Sequence, residues 1–326
     1  MEKKNYFITG GTGSLAKKLV EQLIKKKLAK KITIFSRDEY KQSNMLNLPF
    51  VKKNLSIFRF FIGDIRDLPR LDWALSSYDD VVVHTAALKQ VPVTEYNPFE
   101  TVKTNIMGTQ NLIEVCIKKN INKIILASTD KAVSPINLYG STKLTAEKLF
   151  ISANLFKGKN KCKFSVARYG NVMGSRGSII PILIKQNSFE KYFTITNKNM
   201  TRFSLTLNDA ANFILHAIHK MKGSEIFVPK ISSYRILDIA KAINPKKKIK
   251  YIGIRSGEKL HEELINSSEF LKSKENSKEF ILYPLDKNIK NDAIYKSSYN
   301  SYDNKKYLDV NKIKELIKNN ISDFDL

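Results

Sequence analysis

An apolar triplet, Tyr6-Phe-Ile8, runs directly into Thr9-Gly10-Gly11-Thr12-Gly13-Ser14-Leu15-Ala16, and a helical pattern follows with Leu15, Leu19, Leu23 and Ile24 apolar among lysines. Strand, glycine turn and helix in immediate succession constrain the fold more than any other feature, because that unit opens a βαβ crossover. Gly10 permits the tight turn. Gly13 lets the backbone approach a pyrophosphate at the helix N-terminus. Ala16 stands where a third glycine would serve close helix–strand packing, and Ser14 and Leu15 open the helix beside the expected ligand.

Short apolar runs alternate with helical patterns through the next 150 or so residues. They are Lys31-Ile-Thr-Ile-Phe35, Phe58-Arg-Phe-Phe-Ile62, Val81-Val-Val83, Ile124-Ile-Leu126 and Phe164-Ser-Val166. Continuous runs of this kind fit strands buried on both faces. The expected fold class is therefore α/β: a doubly wound parallel sheet of the Rossmann type with a smaller C-terminal α/β substrate lobe. Residues 1–170 are assigned to the dinucleotide domain, with some later segments returning to it, and 171–326 mainly to the lobe. At the tip of the second strand, Ser36-Arg37-Asp38 and Lys41 place a hydroxyl and a guanidinium ahead of the acid. A basic residue there suits a 2′-phosphate, so the expected cofactor is NADP.

The second informative stretch is 128–143, Ser-Thr-Asp-Lys-Ala-Val-Ser-Pro-Ile-Asn-Leu-Tyr-Gly-Ser-Thr-Lys. Tyr139 and Lys143 stand four apart where helical periodicity resumes, so they share a helix face. An ammonium beside a phenol favours the phenolate, which predicts Tyr139 as a base toward a hydroxyl. Thr129, Asp130 and Lys131 follow the apolar run that ends at Ala127, at the strand end where open α/β sheets bind ligands. The trio adds an acid and a second base. A lysine base must be neutral; Lys143 and an oxidised nicotinamide would lower its pKa, and Asp130 would raise it.

Composition excludes more than it selects. The formal charge is +25, from 56 Lys and Arg against 31 Asp and Glu. The lysines are spread along the whole chain, and runs such as Lys25-Lys-Lys27 and Pro245-Lys-Lys-Lys248 fit solvated faces rather than a nucleic-acid patch. The surplus can still steer an anionic substrate. No apolar run reaches the roughly eighteen residues of a membrane span. Met1-Glu-Lys-Lys-Asn leads straight into a strand, and Cys116 and Cys162 lack paired spacing, so reduced thiols and a cytoplasmic location are expected. His216 and His219 have no third ligand nearby in sequence, so no metal site is expected. His84 and His261 are given no chemical role.

Past the sixth strand, Arg168-Tyr-Gly-Asn171-Val-Met-Gly174-Ser-Arg-Gly177 forms a glycine-spaced loop. Two basic residues stand in apolar or glycine-rich surroundings, Arg202 in Met200-Thr-Arg-Phe203 and Arg255 in Ile254-Arg-Ser-Gly-Glu258. A diphosphate would need such donors, although either arginine could instead pair with a nearby carboxylate.

Taken together, these residues resemble an extended short-chain dehydrogenase/reductase, and within it the soluble inverting UDP-N-acetylglucosamine 4,6-dehydratases of pseudaminic acid synthesis. The resemblance rests on Thr9-Gly-Gly-Thr-Gly13, Ser36-Arg-Asp-Glu39, Gly63-Asp64, Ala86-Ala-Leu-Lys89, Glu95-Tyr-Asn-Pro98 and Thr104-Asn-Ile-Met-Gly108. It continues through Ser128-Thr-Asp-Lys131, Asn137-Leu-Tyr-Gly140, Arg168-Tyr-Gly-Asn171, Met200-Thr-Arg-Phe203, Gly257-Glu-Lys259 and Tyr299-Asn-Ser-Tyr-Asp303. Similar dehydratases of other stereochemistry typically carry Met where this chain has Tyr139. Related 4-epimerases share Tyr-x-x-x-Lys but lack the Asp-Lys pair. Ser256, Gln90 and Ser204 depart from the family's usual Pro, His and bulkier residue.

The resemblance implies NADP contacts at Gly10, Gly13, Ser14, Leu15, Ser36, Arg37, Lys41, Asp64, Ile65 and Ala86 as well as Tyr139 and Lys143. It implies UDP-N-acetylglucosamine contacts at Lys89, Asn171, Arg202, Arg255 and Glu258. Tyr139 would take the proton from the 4-hydroxyl, Lys131 the C5 proton, and Asp130 would protonate the departing 6-hydroxyl. Lys143 would lower the Tyr pKa, and Thr129 would bond the 4-oxygen. A homo-oligomer, dimer to hexamer, is also implied. A UDP-hexose 4-epimerase, or another nucleotide-sugar dehydratase of the same family, is the alternative.

Overall fold

In the computed structural model, which describes residues 2–175, 177–286 and 298–323, the glycine turn sits at the centre of one large sheet. Its first six strands are β1 (Lys4–Thr9), β2 (Ala29–Ser36), β3 (Phe58–Ile62), β4 (Val81–His84), β5 (Lys123–Thr129) and β6 (Lys163–Tyr169). They lie in the order β3-β2-β1-β4-β5-β6, all parallel. The reversal of direction between β1 and β4 is the switch point at which such sheets open a ligand crevice. Strands β1, β4, β5 and β6 are almost wholly buried, as their apolar runs predict, whereas the edge strand β3 is half-exposed.

The sheet does not end at β6. The strand Ile226–Pro229 pairs parallel to it, and the antiparallel hairpin Ser273–Glu275 and Glu279–Leu282 closes that edge. The helix Leu207–Lys220 also returns, packing on the Ser14–Lys25 helix, where Gln22 Nε2 donates to Asn208 Oδ1 at 2.8 Å. The rest of the later chain builds a second apolar cluster, with Leu183, Phe193, Met200, Ile239 and Ile313 fully buried. Small two-stranded ladders surround it, Phe193–Ile195 with Ile249–Tyr251 and Thr201–Ser204 with Ser232–Arg235. A third ladder, Glu263–Ile265 with Tyr299–Asn300, contributes Leu264, Ile265 and Tyr299 to the main apolar cluster. Arg176, in the glycine-spaced loop after β6, lies outside the described residues.

His84 shows how the strand tips are pinned. It is buried, with Nδ1 2.7 Å from Thr9 Oγ1 and Nε2 3.0 Å from Thr109 Oγ1. Burial first, and then Lys143, lowers its pKa to about 3, so it stays neutral. It is a cross-strand tie. His216 likewise has a structural partner, Glu279, at 3.0 Å. Among the described residues no cluster of His, Cys, Asp or Glu could hold a metal ion, and no helix is long and apolar enough to cross a membrane.

Candidate active site

The C-terminal ends of the parallel strands surround a cleft of about 490 Å³. One wall is the glycine turn. Gly10 has φ +63°, and a Cβ there would meet the Ala86 backbone at 2.8 Å, so two strand tips approach closely only because no side chain intervenes. Gly13 forms the N-cap of the Ser14–Lys25 helix without a side-chain cap. The first amide groups of that helix therefore face the cleft and suit a diphosphate. Gly10, Gly13, Ser14, Leu15, Ser36, Arg37, Lys41, Ile65 and Ala86 all line it. Glycines at the two close approaches and an uncapped helix start make a cradle that fits a dinucleotide.

The ribose end is more crowded than the sequence suggests. Arg37 is half-exposed, with Nη1 3.5 Å from Asp64 Oδ2. Asp64 is held more tightly by Arg66, at 2.7 Å, and is absent from the cleft wall, where its neighbours Gly63 and Ile65 stand. Lys41 is ion-paired with Asp38. A phosphate here would have to compete with two carboxylates for these cations.

Opposite the glycine turn, β5 ends in the sharp turn Asp130–Ala132. Thr129 Oγ1 donates to Asp130 Oδ1 at 2.9 Å, and Lys131 Nζ donates to the same oxygen at 3.1 Å. The helix Leu138–Phe156 then starts on an Asn137 cap, whose side chain accepts from the Gly140 amide at 2.7 Å. Gly140 is required here, since a Cβ would lie 2.2 Å from the Lys131 carbonyl oxygen. The glycine lets the helix start lie directly on the Asp130–Lys131 turn, which places Tyr139 and Lys143 in the same cleft.

One electrostatic expectation needs correction, and one balance that the sequence left open is decided. Lys143 does not lie among the groups that act on the Tyr139 phenol; its Nζ donates to the Ala127 carbonyl at 2.8 Å, and burial lowers its pKa to about 8. Burial pushes the Tyr139 phenol up to about 12, and the cation that opposes this is Lys131. Lys131 in turn is not lowered. Burial works against its charge, but the carboxylates of Asp130 and Glu262 outweigh burial and hold its pKa above the ordinary lysine range. Asp130, fully buried, is raised by burial despite the lysine.

The residue that sequence reasoning missed is Glu262. Its Oε1 lies 3.1 Å from Lys131 Nζ and 3.7 Å from Arg202 Nε, and its side chain is 2 % exposed. Its motif neighbour Gly257-Glu-Lys259 was legible, but nothing in sequence links position 262 to position 131. Arg202 is the counterpart. Rather than standing free for a diphosphate, it is buried and bonded to the carbonyls of Thr201 at 2.7 Å and Leu260 at 3.1 Å, with Glu258 at 3.5 Å. Arg255 is exposed, and its amide faces Glu258 Oε2 at 3.4 Å. Arg202, Arg255 and Glu258 are thus set back from the cleft wall, whereas Lys89 and Asn171 belong to it.

Several buried oxygens around the Asp130–Lys131 turn have no partner among the described residues: Asp130 Oδ2, Asn171 Oδ1, Ser128 Oγ and Glu262 Oε2. Such groups are costly when dry. Together with the Lys131 amine, the Asp130 carboxyl and the Tyr139 phenol, they give the wall groups that can exchange protons with a polar ligand.

A family profile described as polysaccharide biosynthesis protein matches residues 6–284. The chain is 48% identical over 268 residues, covering 82% of it and 79% of the relative, to the inverting UDP-N-acetylglucosamine 4,6-dehydratase of Campylobacter jejuni. It is 40% identical over 336 residues, 97% of this chain and 96% of the relative, to a protein named UDP-glucose 4-epimerase from Rickettsia bellii. In three dimensions it is similar to Pen from Bacillus thuringiensis, with a TM-score of 0.88 and 38% identity over 98% of this chain and 99% of that one. The glycine cradle, the β5 turn and these matches agree, and the chain belongs to the polysaccharide biosynthesis family of extended short-chain dehydrogenase/reductases.

Proposed function

We propose that this chain is an NADP-dependent, inverting UDP-N-acetylglucosamine 4,6-dehydratase, a hydro-lyase producing UDP-2-acetamido-2,6-dideoxy-β-L-arabino-hexos-4-ulose for pseudaminic acid synthesis. The observation that carries the reading is the buried Asp130–Lys131 pair beside Tyr139, because 4-epimerisation has no need of an acid and base beyond the phenol. When bound, the cofactor would take the hydride from C4 and return it to C6, with no net redox change over the cycle. The glycine turn and Lys143 would hold it, and Arg37 would face its 2′-phosphate.

Tyr139 accepts the 4-hydroxyl proton as the phenolate, a form that burial disfavours and the positive charge of Lys131 favours. The 4-ketone then acidifies C5. In the resting protein Lys131 is an ammonium and cannot take that proton. Its partner at 3.1 Å resolves the difficulty. One proton passing from Lys131 Nζ to Asp130 yields a neutral amine and a neutral carboxylic acid, with no change in total charge. The amine then removes the C5 proton, and the carboxylic acid protonates the departing 6-oxygen, which leaves as water. The pair ends as ammonium and carboxylate, its resting form. Reprotonation of C5 on the opposite face inverts that centre.

The epimerase reading is kept alive by the nearly full-length match to the Rickettsia protein. One experiment separates them. Incubation with UDP-N-acetylglucosamine in deuterated water, followed by NMR, should show a 4-keto-6-deoxy sugar deuterated at C5 with inverted configuration. Retention at C5 would remove the inverting assignment, and an intact 6-hydroxyl would remove dehydration altogether. Reconstituting the apoprotein with NAD in place of NADP should give the slower enzyme.

A further inference from the structure

The cleft's chemistry lies on the Rossmann side, yet one carboxylate reaches it from the other side of the molecule. Glu262 immediately precedes the strand Glu263–Ile265. Its backbone is tied on both sides to Ser301, whose Oγ accepts from the Glu262 amide at 2.9 Å and whose amide donates to the Glu262 carbonyl at 2.7 Å. Ser301 Oγ is itself 2.7 Å from Thr201 Oγ1, on the strand that carries Arg202. The side chain therefore starts from a fixed point. One oxygen is shared between Lys131 and Arg202, and the other, Oε2, is buried with no partner among the described residues.

We propose that Glu262 is a positioning residue for Lys131, holding its amine over the cleft and keeping one proton on the Asp130–Lys131 pair through the cycle. This rests on the dehydratase reading for its chemistry, but the geometry behind it does not. Lys131 sits between two carboxylates, Asp130 and Glu262, each with one unpaired buried oxygen. The mechanism needs a single proton shared across the pair. Without Glu262, an ammonium beside Asp130 alone would release that proton at lower pH, leaving the acid role empty. Arg202 limits the effect by keeping Glu262 a carboxylate, so that Glu262 holds the proton on the pair without taking it.

The charged and titratable groups facing this cluster are Asp130 from the β5 turn, Tyr139 from the Leu138–Phe156 helix, Arg202 and Tyr234 from the Thr201–Ser204 and Ser232–Arg235 ladder, and Lys259 from the loop before Glu262. Replacing Glu262 by Gln removes a negative charge from their midst and leaves the others in place. Both protonations of the Asp130–Lys131 pair then become harder. The two limbs of the bell-shaped kcat–pH profile should both move to lower pH, by about 1–3 pH units for a charge this close. Glu262→Asp keeps the charge and draws it back by one methylene, so it should move both limbs the same way by less than half as much. It carries the test alone if Glu262→Gln does not fold.

A second readout needs no turnover. Competitive trace acetylation with acetic anhydride across a pH series, read by mass spectrometry on the Lys131 peptide, reports the fraction of free amine. In the holoprotein the Lys131 labelling curve should lie at lower pH in Glu262→Gln than in wild type, with Glu262→Asp between them. An unmoved labelling curve overturns the proposal, as does a profile whose height falls while both limbs stay in place, which is the mark of a merely structural residue. If the labelling curve moves but wild type forms no 6-deoxy product, Glu262 still positions Lys131 and the dehydratase reading is what fails.

Discussion

Two buried ion networks lie close together in this molecule, and they are built on opposite rules. In one, Arg168 at the end of β6 donates to Glu147 Oε1 and Oε2 at 3.0 and 2.6 Å, to Glu269 Oε1 and Oε2 at 2.8 Å each, and to the Leu264 carbonyl at 3.1 Å. Its five N–H groups are all used. Glu269 also closes a capping box with Asn266, so a single guanidinium ties together β6, the Leu138–Phe156 helix and the 264–269 segment. In the other network Asp130 and Glu262 are as deeply placed and Lys131 opens onto the cleft, yet Asp130 and Glu262 each keep an oxygen without a partner among the described residues. A fully satisfied network sets the register of the elements it joins. One left short of partners keeps capacity for a substrate and for movable protons.

The comparison predicts opposite phenotypes. Lys131→Ala should reduce kcat by about 10²- to 10⁴-fold, the usual value of a positioned acid–base group. Cofactor binding should be close to wild type and the stability loss smaller than for Arg168→Met, since Asp130, already raised by burial, can take a proton when the ammonium goes; undiminished turnover would take Lys131 out of the mechanism. Arg168→Met inverts that result. It leaves Glu147 buried without its guanidinium and should destabilise the fold by about 3–5 kcal/mol. Urea unfolding measures it, and a loss below 1 kcal/mol would mean that the network is not a strut. Pairing Arg168→Met with Glu147→Gln should recover part of the loss, since the uncompensated charge goes with it.

Gly140→Ala probes the joint between the two networks, where the helix that carries Glu147 meets the turn that carries Lys131. A Cβ 2.2 Å from the Lys131 carbonyl forces backbone to move, at a cost of about 1–3 kcal/mol. The displacement falls on the catalytic turn rather than on Arg168. Turnover should therefore drop by more than the stability loss alone explains at a temperature where the variant is folded. Equal catalytic efficiency in variant and wild type would show that the turn tolerates the shift.

Much of the site was legible in sequence because its parts are local. Gly10 and Gly13 lie in one turn, Thr129 to Lys131 at one strand end, and Tyr139 and Lys143 on one helix face, all within reach of backbone periodicity. The six parallel strands were likewise legible as short apolar runs, although the edge strand β3 is half-exposed. The return of the Ile226–Pro229 strand and of the edge hairpin to the main sheet was less so, because short strands bear no mark of which sheet they will join. The charge states were not legible at all. Spacing implied that Lys143 activates Tyr139, whereas the folded chain turns Lys143 to the Ala127 carbonyl and sets Lys131 near the phenol. Arg202 looked available in its apolar segment, and folding placed two carboxylates around it.

The sequence by itself determined the glycine turn, the tyrosine and lysine on one helix face, and the Asp130–Lys131 pair at the β5 tip, because each is written within a few residues and backbone geometry does the rest. Only the tertiary structure decided how those groups are charged. Folding adds Glu262 to the neighbouring Asp130 around Lys131, and Arg202 to Lys131 around Glu262, and in a poorly solvated interior the groups within about 4 Å outweigh everything farther along the chain.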